Sequence, residues 1–152
     1  MRLKKTVYLT LTVSLLALID NLTKYYVRVE NIQELVILEN FLTIDLTYNT
    51  GIAFGFFSDY TNLTYAVSLI VLVWLAFQIK DSPSSSIEFY SFTLILGGAL
   101  GNLSERGWNL ITDNGGKVTD FIELLFIPSF NFADSLISIG IALLLFSEFK
   151  NR

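Results

Sequence analysis

The chain has 152 residues, 53% of them hydrophobic, a formal net charge of −4 and a mean hydropathy of +0.57. This apolar content exceeds that of an ordinary soluble domain and indicates one integral membrane domain over residues 1–152. The absence of cysteine and histidine excludes disulfides, thiolate nucleophiles and serine–histidine triads, and the acidic balance argues against nucleic-acid binding.

Four apolar stretches predict transmembrane helices, at about 6–27, 61–79, 88–104 and 132–147. The first follows a basic start and is not followed by a small-x-small cleavage site, so we interpret it as a retained helix. The second has no charge and is long enough to cross about 30 Å of hydrocarbon. The last two are short, and each alone could be a core helix of a soluble protein. Because the chain also contains the longer apolar stretches, we interpret them as membrane spans.

A strand pattern lies between the first two predicted helices. Leu42, Ile44 and Leu46 alternate with polar residues, which is the period of a half-buried strand, and Gly51 and Gly55 bound a turn. We therefore expect a mainly α membrane protein, a bundle of four transmembrane helices with a small extracytoplasmic β-sheet or cradle at about 34–57. Residues 104–131 are interpreted as a loop with a glycine turn.

The distribution of Lys and Arg sets the expected orientation. Six such residues fall on the side of the N-terminus and three on the other side, which predicts that both termini are cytoplasmic. Under this topology the unusual polar residues gather at the extracytoplasmic face. They are Asp20, Lys24, Asn49, Gly51, Asn102, Glu105, Arg106, Asp120, Asn131 and Asp134.

Asp120 and Asp134 are the candidate pair for acid–base chemistry. Two carboxylates that share one proton split their titration, so that one accepts a proton from water while the other donates one. The alternative is that Asp134 or Asn131 only caps the fourth helix and Asp120 is a solvated loop residue. The residues alone do not decide between these interpretations.

Other polar residues have simpler structural interpretations. Asp20 and Lys24 are four residues apart and favour a structural ion pair over a direct catalytic role. Gly97 and Gly101 have the GxxxG spacing of close helix packing. Arg106 could pair with Glu105, with a site carboxylate or with lipid phosphate, and an exposed interfacial arginine is an equal alternative.

Five blocks in the sequence resemble, in order and spacing, those of the bacterial lipoprotein signal peptidases, the type II signal peptidases. The blocks are "DNLTK" (20–24), "NTGIAFG" (49–55), "GGALGNLSER" (97–106), "VTDFI" (118–122) and "FNFADSLISIG" (130–140). The resemblance implies four transmembrane helices with an extracytoplasmic β-cradle. It also implies an aspartic endopeptidase that cleaves prolipoproteins just before a lipid-modified cysteine.

The matching blocks imply roles for individual residues. Asp120 and Asp134 match the catalytic pair, and the other matched positions line or support the site: Asp20, Lys24, Asn49, Asn102, Arg106, Asn131 and Ala133. Glu105 departs from the family block, which has Asp there. Because Glu105 is outside the catalytic pair, we expect altered support of the site rather than a different function, and we expect Glu105→Asp to keep fold and activity.

The sequence thus predicts a monomeric membrane peptidase that uses an Asp pair to activate water, without metal or cofactor. Its expected partners are a lipid-modified prolipoprotein and membrane lipids, and not nucleic acid. The alternatives are a small membrane protein for ion or proton passage and a structural bundle whose polar residues only cap and pack helices.

Overall fold

A computed structural model describes residues 2–51, 60–80 and 82–150, with the side chain of Arg2 left out. The described chain contains four helices and four strands. The helices are α1 (Arg2–Val29), α2 (Thr61–Gln78), α3 (Ile87–Ile111) and α4 (Phe132–Lys150). The strands are β1 (Leu35–Leu38), β2 (Leu42–Asn49), β3 (Val118–Leu124) and β4 (Ile127–Phe130).

All four predicted helices are confirmed, and each contains most of its predicted span. By length and composition, α1, α2 and α4 could cross a membrane. Few of their apolar side chains are buried: Ile70 and Trp74 on α2 are 68% and 56% exposed. Since lipid tails solvate such side chains, these surfaces suit contact with a bilayer.

Helix α3 is the central helix and packs against α1, α2 and α4. Its glycines permit this approach. A Cβ on Gly97 would lie 2.8 Å from Leu16 of α1, and one on Gly101 would lie 2.6 Å from Asp20 of the same helix. A Cβ on Gly98 would lie 2.4 Å from the backbone oxygen of Ala133 in α4. The GxxxG interpretation is therefore confirmed, because only a hydrogen at these positions lets the helix axes come so close.

Side-chain contacts hold the helix ends together at the end of the bundle where α1 begins and α4 ends. Lys5 Nζ donates to the carbonyl oxygens of Ile79 (2.9 Å) and Lys80 (3.0 Å), just after α2. The hydroxyl of Ser147, late in α4, donates to Glu88, at the start of α3. The sheet therefore lies at the opposite end of the bundle, beyond the C-terminal ends of α1 and α3.

The four strands form one antiparallel sheet in the order β1-β2-β3-β4. The predicted strand at 42–49 is confirmed as β2. The interpretation of residues 104–131 as a loop was wrong, because the first eight of them end α3 and the segment also contributes β3 and β4. The Gly115–Gly116 turn, with φ of 70° and 62°, redirects the chain from α3 into β3. The predicted turn residue Gly55 lies outside the described residues.

Candidate active site

Asp120 lies in the buried half of β3 and is 3% exposed. Its register partner on β2 is Thr47, whose hydroxyl donates to the Asp120 carbonyl oxygen over 3.2 Å. Pairing with β2 therefore fixes the backbone of this residue. Its carboxylate accepts a 2.7 Å hydrogen bond at Oδ1 from Asn131 Nδ2.

Asp134 lies in the first turn of α4, where its side chain completes a reciprocal cap. The Asn131 N–H donates to Asp134 Oδ2 (3.1 Å), and the Asp134 N–H donates to Asn131 Oδ1 (2.9 Å). This arrangement is a capping box. The interpretation of Asp134 and Asn131 as caps of the fourth helix is thus confirmed, but the cap uses only Oδ2 of Asp134 and does not account for Oδ1.

That second oxygen of Asp134 belongs to a network that reaches Asp120. Asp134 Oδ1 accepts a 2.9 Å hydrogen bond from Asn102 Nδ2, and Asn102 Oδ1 lies 3.1 Å from Asn131 Nδ2. Asn131 therefore contacts both carboxylates, one through its side-chain amide and one through its backbone. Asp120 is not a solvated loop residue, as the alternative required.

The environment of Asp120 favours its protonated form. Desolvation by burial raises the pKa of Asp120 to about 7, and the nearby charge of Asp134 acts in the same direction. Hydrogen bonds from Asn49 and Asn131 and the charge of Lys24 oppose this rise. Burial prevails, so Asp120 keeps a proton at pH values where an ordinary aspartate has lost it.

Asp20 and Lys24 form the expected ion pair on α1, with Nζ 2.7 Å from Oδ2 and both side chains fully buried. Asp20 Oδ1 also accepts a 2.8 Å hydrogen bond from the N–H of Ala133, near the start of α4. A Cβ on Gly101 would lie 2.6 Å from Asp20, so this glycine makes room for the pair. The pair therefore holds α4 against α1.

Lys24 extends this contact to α3. Its Nζ donates to Asn102 Oδ1 (2.7 Å) and lies 3.3 Å from Glu105 Oε2. Asn102 can then present its amide nitrogen to Asp134, because its oxygen is already bound to Lys24. In this way a buried charge on α1 orients a side chain that contacts a candidate catalytic carboxylate.

Glu105 is 4% exposed and binds the start of β3. Its Oε2 accepts the Thr119 N–H (3.1 Å) and its Oε1 accepts the Thr119 hydroxyl (2.6 Å). Oε1 also accepts a hydrogen bond from Arg28 Nη1. The Glu105 side chain, one methylene longer than Asp, thus contacts both β3, the strand that carries Asp120, and the C-terminal end of α1.

Arg106, Asn49 and Gly51 support the segment after β2. Arg106 is 7% exposed and donates to the carbonyl oxygens of Thr50 (3.2 Å) and Gly51. Asn49 Oδ1 accepts the Gly51 N–H at 2.9 Å. Among the described residues Arg106 makes no ion pair of 4 Å or less with a carboxylate, so the interpretation that it pairs with Glu105 or a site carboxylate is wrong.

All eleven candidate residues therefore lie at one end of the bundle, but two contributors were missed. Arg28 contacts Glu105 and Thr119, and Thr119 is fully buried. Arg28 follows Lys24 by four residues and Asp20 by eight, which places all three on one face of α1. The helical period was a signal for Arg28, and Thr119 lies within the VTDFI block, although no role was inferred for it there.

Four helices with exposed apolar faces and two linked carboxylates beside a sheet are the arrangement expected of a membrane-embedded hydrolase of the aspartic type. The family model described as Signal peptidase (SPase) II matches residues 12–150. The chain belongs to the signal peptidase II family. It is therefore a protease of the bacterial membrane.

Individual relatives agree with this assignment. The chain is 35% identical to a lipoprotein signal peptidase of Pseudomonas fluorescens, over 93% of this chain and 88% of the relative. It is 32% identical to one of Pseudomonas syringae pv. tomato, over 99% and 90%. A solved structure described as a bacterial membrane enzyme, determined by the in meso method at 2.3 Å resolution, superposes with a TM-score of 0.82 at 27% identity, covering 95% of this chain and 88% of that one.

Proposed function

We propose that Asp120 and Asp134 together activate a water molecule that cleaves prolipoproteins before a diacylglyceryl-modified cysteine. The single observation that carries this proposal is the bridge through Asn131, which contacts both carboxylates. The charge of Asp134 also raises the pKa of Asp120, so the two carboxyl groups lie near each other, as a shared water requires. The name of the relatives, lipoprotein signal peptidase, supports the choice of substrate.

The environments of the two carboxylates support different roles. Asp120 is buried with a pKa of about 7 and holds the proton at rest. Asp134 lies in the first turn of α4, where the helix dipole favours negative charge, and accepts a hydrogen bond from Asn102. Asp134 is therefore the general base and Asp120 the general acid.

The reaction then needs no covalent enzyme intermediate. Asp134 removes a proton from water as the water oxygen attacks the scissile carbonyl carbon, and Asp120 donates its proton to the carbonyl oxygen, giving a neutral tetrahedral diol. Asp134 next returns its proton to the leaving nitrogen as the C–N bond breaks. Asp120 recovers a proton from the collapsing hydroxyl, so both carboxyl groups return to their starting states.

The membrane setting supplies access for the substrate. The site lies at the end of the bundle remote from the start of α1 and the end of α4, and the Lys and Arg distribution favours an extracytoplasmic position for that end. A lipid-modified substrate would arrive laterally, with its acyl chains in the bilayer and its scissile bond at the interface. One chain supplies all the candidate residues, so a single copy of the protein is sufficient to form the proposed site.

The decisive experiment compares wild type, Asp120→Asn and Asp134→Asn, purified in lipid, on a diacylglyceryl-modified prolipoprotein. We expect no signal-peptide release by mass spectrometry in either variant. Asp113→Asn, an exposed aspartate after α3, should cleave like wild type. Cleavage that persists in both test variants would reject the pair, and equal cleavage of an unlipidated prolipoprotein would reject the assigned substrate.

A further inference from the structure

Arg28 is a charged residue at the site end of α1 to which neither the sequence nor the family blocks gave a role. Its Nη1 donates to Glu105 Oε1 and to the Thr119 hydroxyl, the latter over 3.1 Å. Its side chain is 33% exposed, while the partner Glu105 side chain is 3% exposed. The cation therefore reaches from solvent onto a buried carboxylate.

We propose that Arg28 is a positioning residue for Asp120, acting through Glu105 and Thr119. The inference rests on the proposed function of Asp120. Thr119 directly precedes Asp120 in β3, and both of its donor groups bind Glu105. A displacement of the Glu105 carboxylate therefore moves the residue joined to the candidate catalytic acid.

The charges in this region show why an arginine is needed. Asp20, Lys24 and Glu105 alone would leave a buried cluster with one net negative charge, and an unpaired buried charge is costly. Arg28 makes the group neutral. Lys24 cannot do this alone, because it already binds Asp20 and Asn102 as well as Glu105.

The geometry of the guanidinium also matters. Arg28 contacts the carboxylate and the threonine hydroxyl together, so that α1, α3 and β3 meet at one group. A lysine carries the same charge on a flexible stem as a single point donor and would hold this arrangement less firmly. The extra methylene of Glu105, compared with the Asp of the family block, lets its carboxylate reach this guanidinium.

The test compares Arg28→Gln and Arg28→Lys with Lys117→Gln, which removes an exposed cation placed over the Tyr48 ring. We expect the kcat of Arg28→Gln to fall about 10- to 100-fold with little change in KM, because small misplacements of a reacting group are costly. Arg28→Lys should recover part of the loss. Lys117→Gln should keep the wild-type kcat.

A double variant separates positioning from general damage. Glu105→Asp shortens the side chain, and its carboxylate then withdraws from Arg28. From these contacts we expect slower turnover in Glu105→Asp, whereas the sequence alone led us to expect unchanged activity. Adding Arg28→Gln should then cost less than it does in the wild-type background, because the Arg28–Glu105 contact is already lost and only the Arg28–Thr119 contact remains. If the fold-loss of kcat in the double variant equals the product of the losses in the two single variants, the two residues act independently and the proposal is overturned. A wild-type kcat in Arg28→Gln would also overturn it.

Hydrogen–deuterium exchange of residues 118–122 provides a readout that does not depend on catalysis. We expect faster exchange in Arg28→Gln than in Lys117→Gln, because the Thr119 N–H loses a fixed acceptor. Unchanged exchange would overturn the positioning role. If Asp120→Asn retained cleavage, the proposed acid would be wrong, yet this measurement would still decide whether Arg28 holds the strand.

Discussion

Asn131 and Asp134 cap each other at the start of α4, each donating its backbone N–H to the other's side chain. The same Asn131 donates its side-chain amide to Asp120. A structural cap and a candidate catalytic contact thus share one residue. The capping and catalytic interpretations of the sequence were therefore not exclusive.

The two roles of Asn131 can be separated by substitution. Asn131→Ser retains a capping oxygen but loses the amide donor to Asp120, whereas Asn131→Ala loses both. We expect both variants to lose turnover, and only Asn131→Ala to lose about 1 kcal/mol of folding free energy. Cleavage assays and denaturant unfolding in detergent would measure this, and full activity in Asn131→Ser would contradict the bridging role.

The pH dependence of cleavage follows from the protonated state of Asp120. Its raised pKa of about 7 means that the proton needed for general-acid catalysis is lost as the pH rises through this value. We expect kcat/KM to fall on the alkaline side of pH 7. Asn131→Ser removes a hydrogen bond that stabilises the charged form, so its alkaline limb should move to higher pH. A wild-type rate that stays flat to pH 9 would contradict the assignment.

The same pKa predicts that Asp120 lowers stability. The unfolded carboxyl ionises near pH 3.8 and the folded one near pH 7, so stability is full below the first value, falls between them and remains lower above. The difference is about 3 pKa units, or up to ~4 kcal/mol. We expect Asp120→Asn to melt at a higher temperature than wild type at pH 8, and Asp113→Asn to melt like wild type. Equal melting of Asp120→Asn and wild type at pH 8 would show that burial of the charge is not costly.

Close packing of α3 against α4 depends on Gly98. A Cβ there would meet the Ala133 carbonyl oxygen, part of a backbone that also presents its N–H to Asp20. We expect Gly98→Ala to destabilise the protein by about 1–3 kcal/mol and to reduce cleavage. Gly107→Ala is the matched control, since its Cβ would meet the Tyr65 hydroxyl at 3.1 Å, the movable end of a side chain. Equal unfolding of the two variants would contradict this packing role.

The helices were predictable because long apolar runs have few alternatives in a membrane. The strands β3 and β4 were not, because residues 118–130 lack a clean alternation and gain their order from pairing with β2. The residues of the site followed from family blocks and from polar groups at helix ends. The helical period places Arg28 on the same face of α1 as Asp20 and Lys24, but its role was missed because its partner Glu105 lies on α3, far away in the sequence.

The sheet joins a strand synthesised before α2 to one synthesised after α3. During biosynthesis β2 therefore cannot pair with β3 until α2 and α3 have been synthesised. The buried acid on β3 is delivered only at this late stage. Both candidate carboxylates follow α3 in the chain, so the proposed site cannot be complete before β3 and the start of α4 have been synthesised.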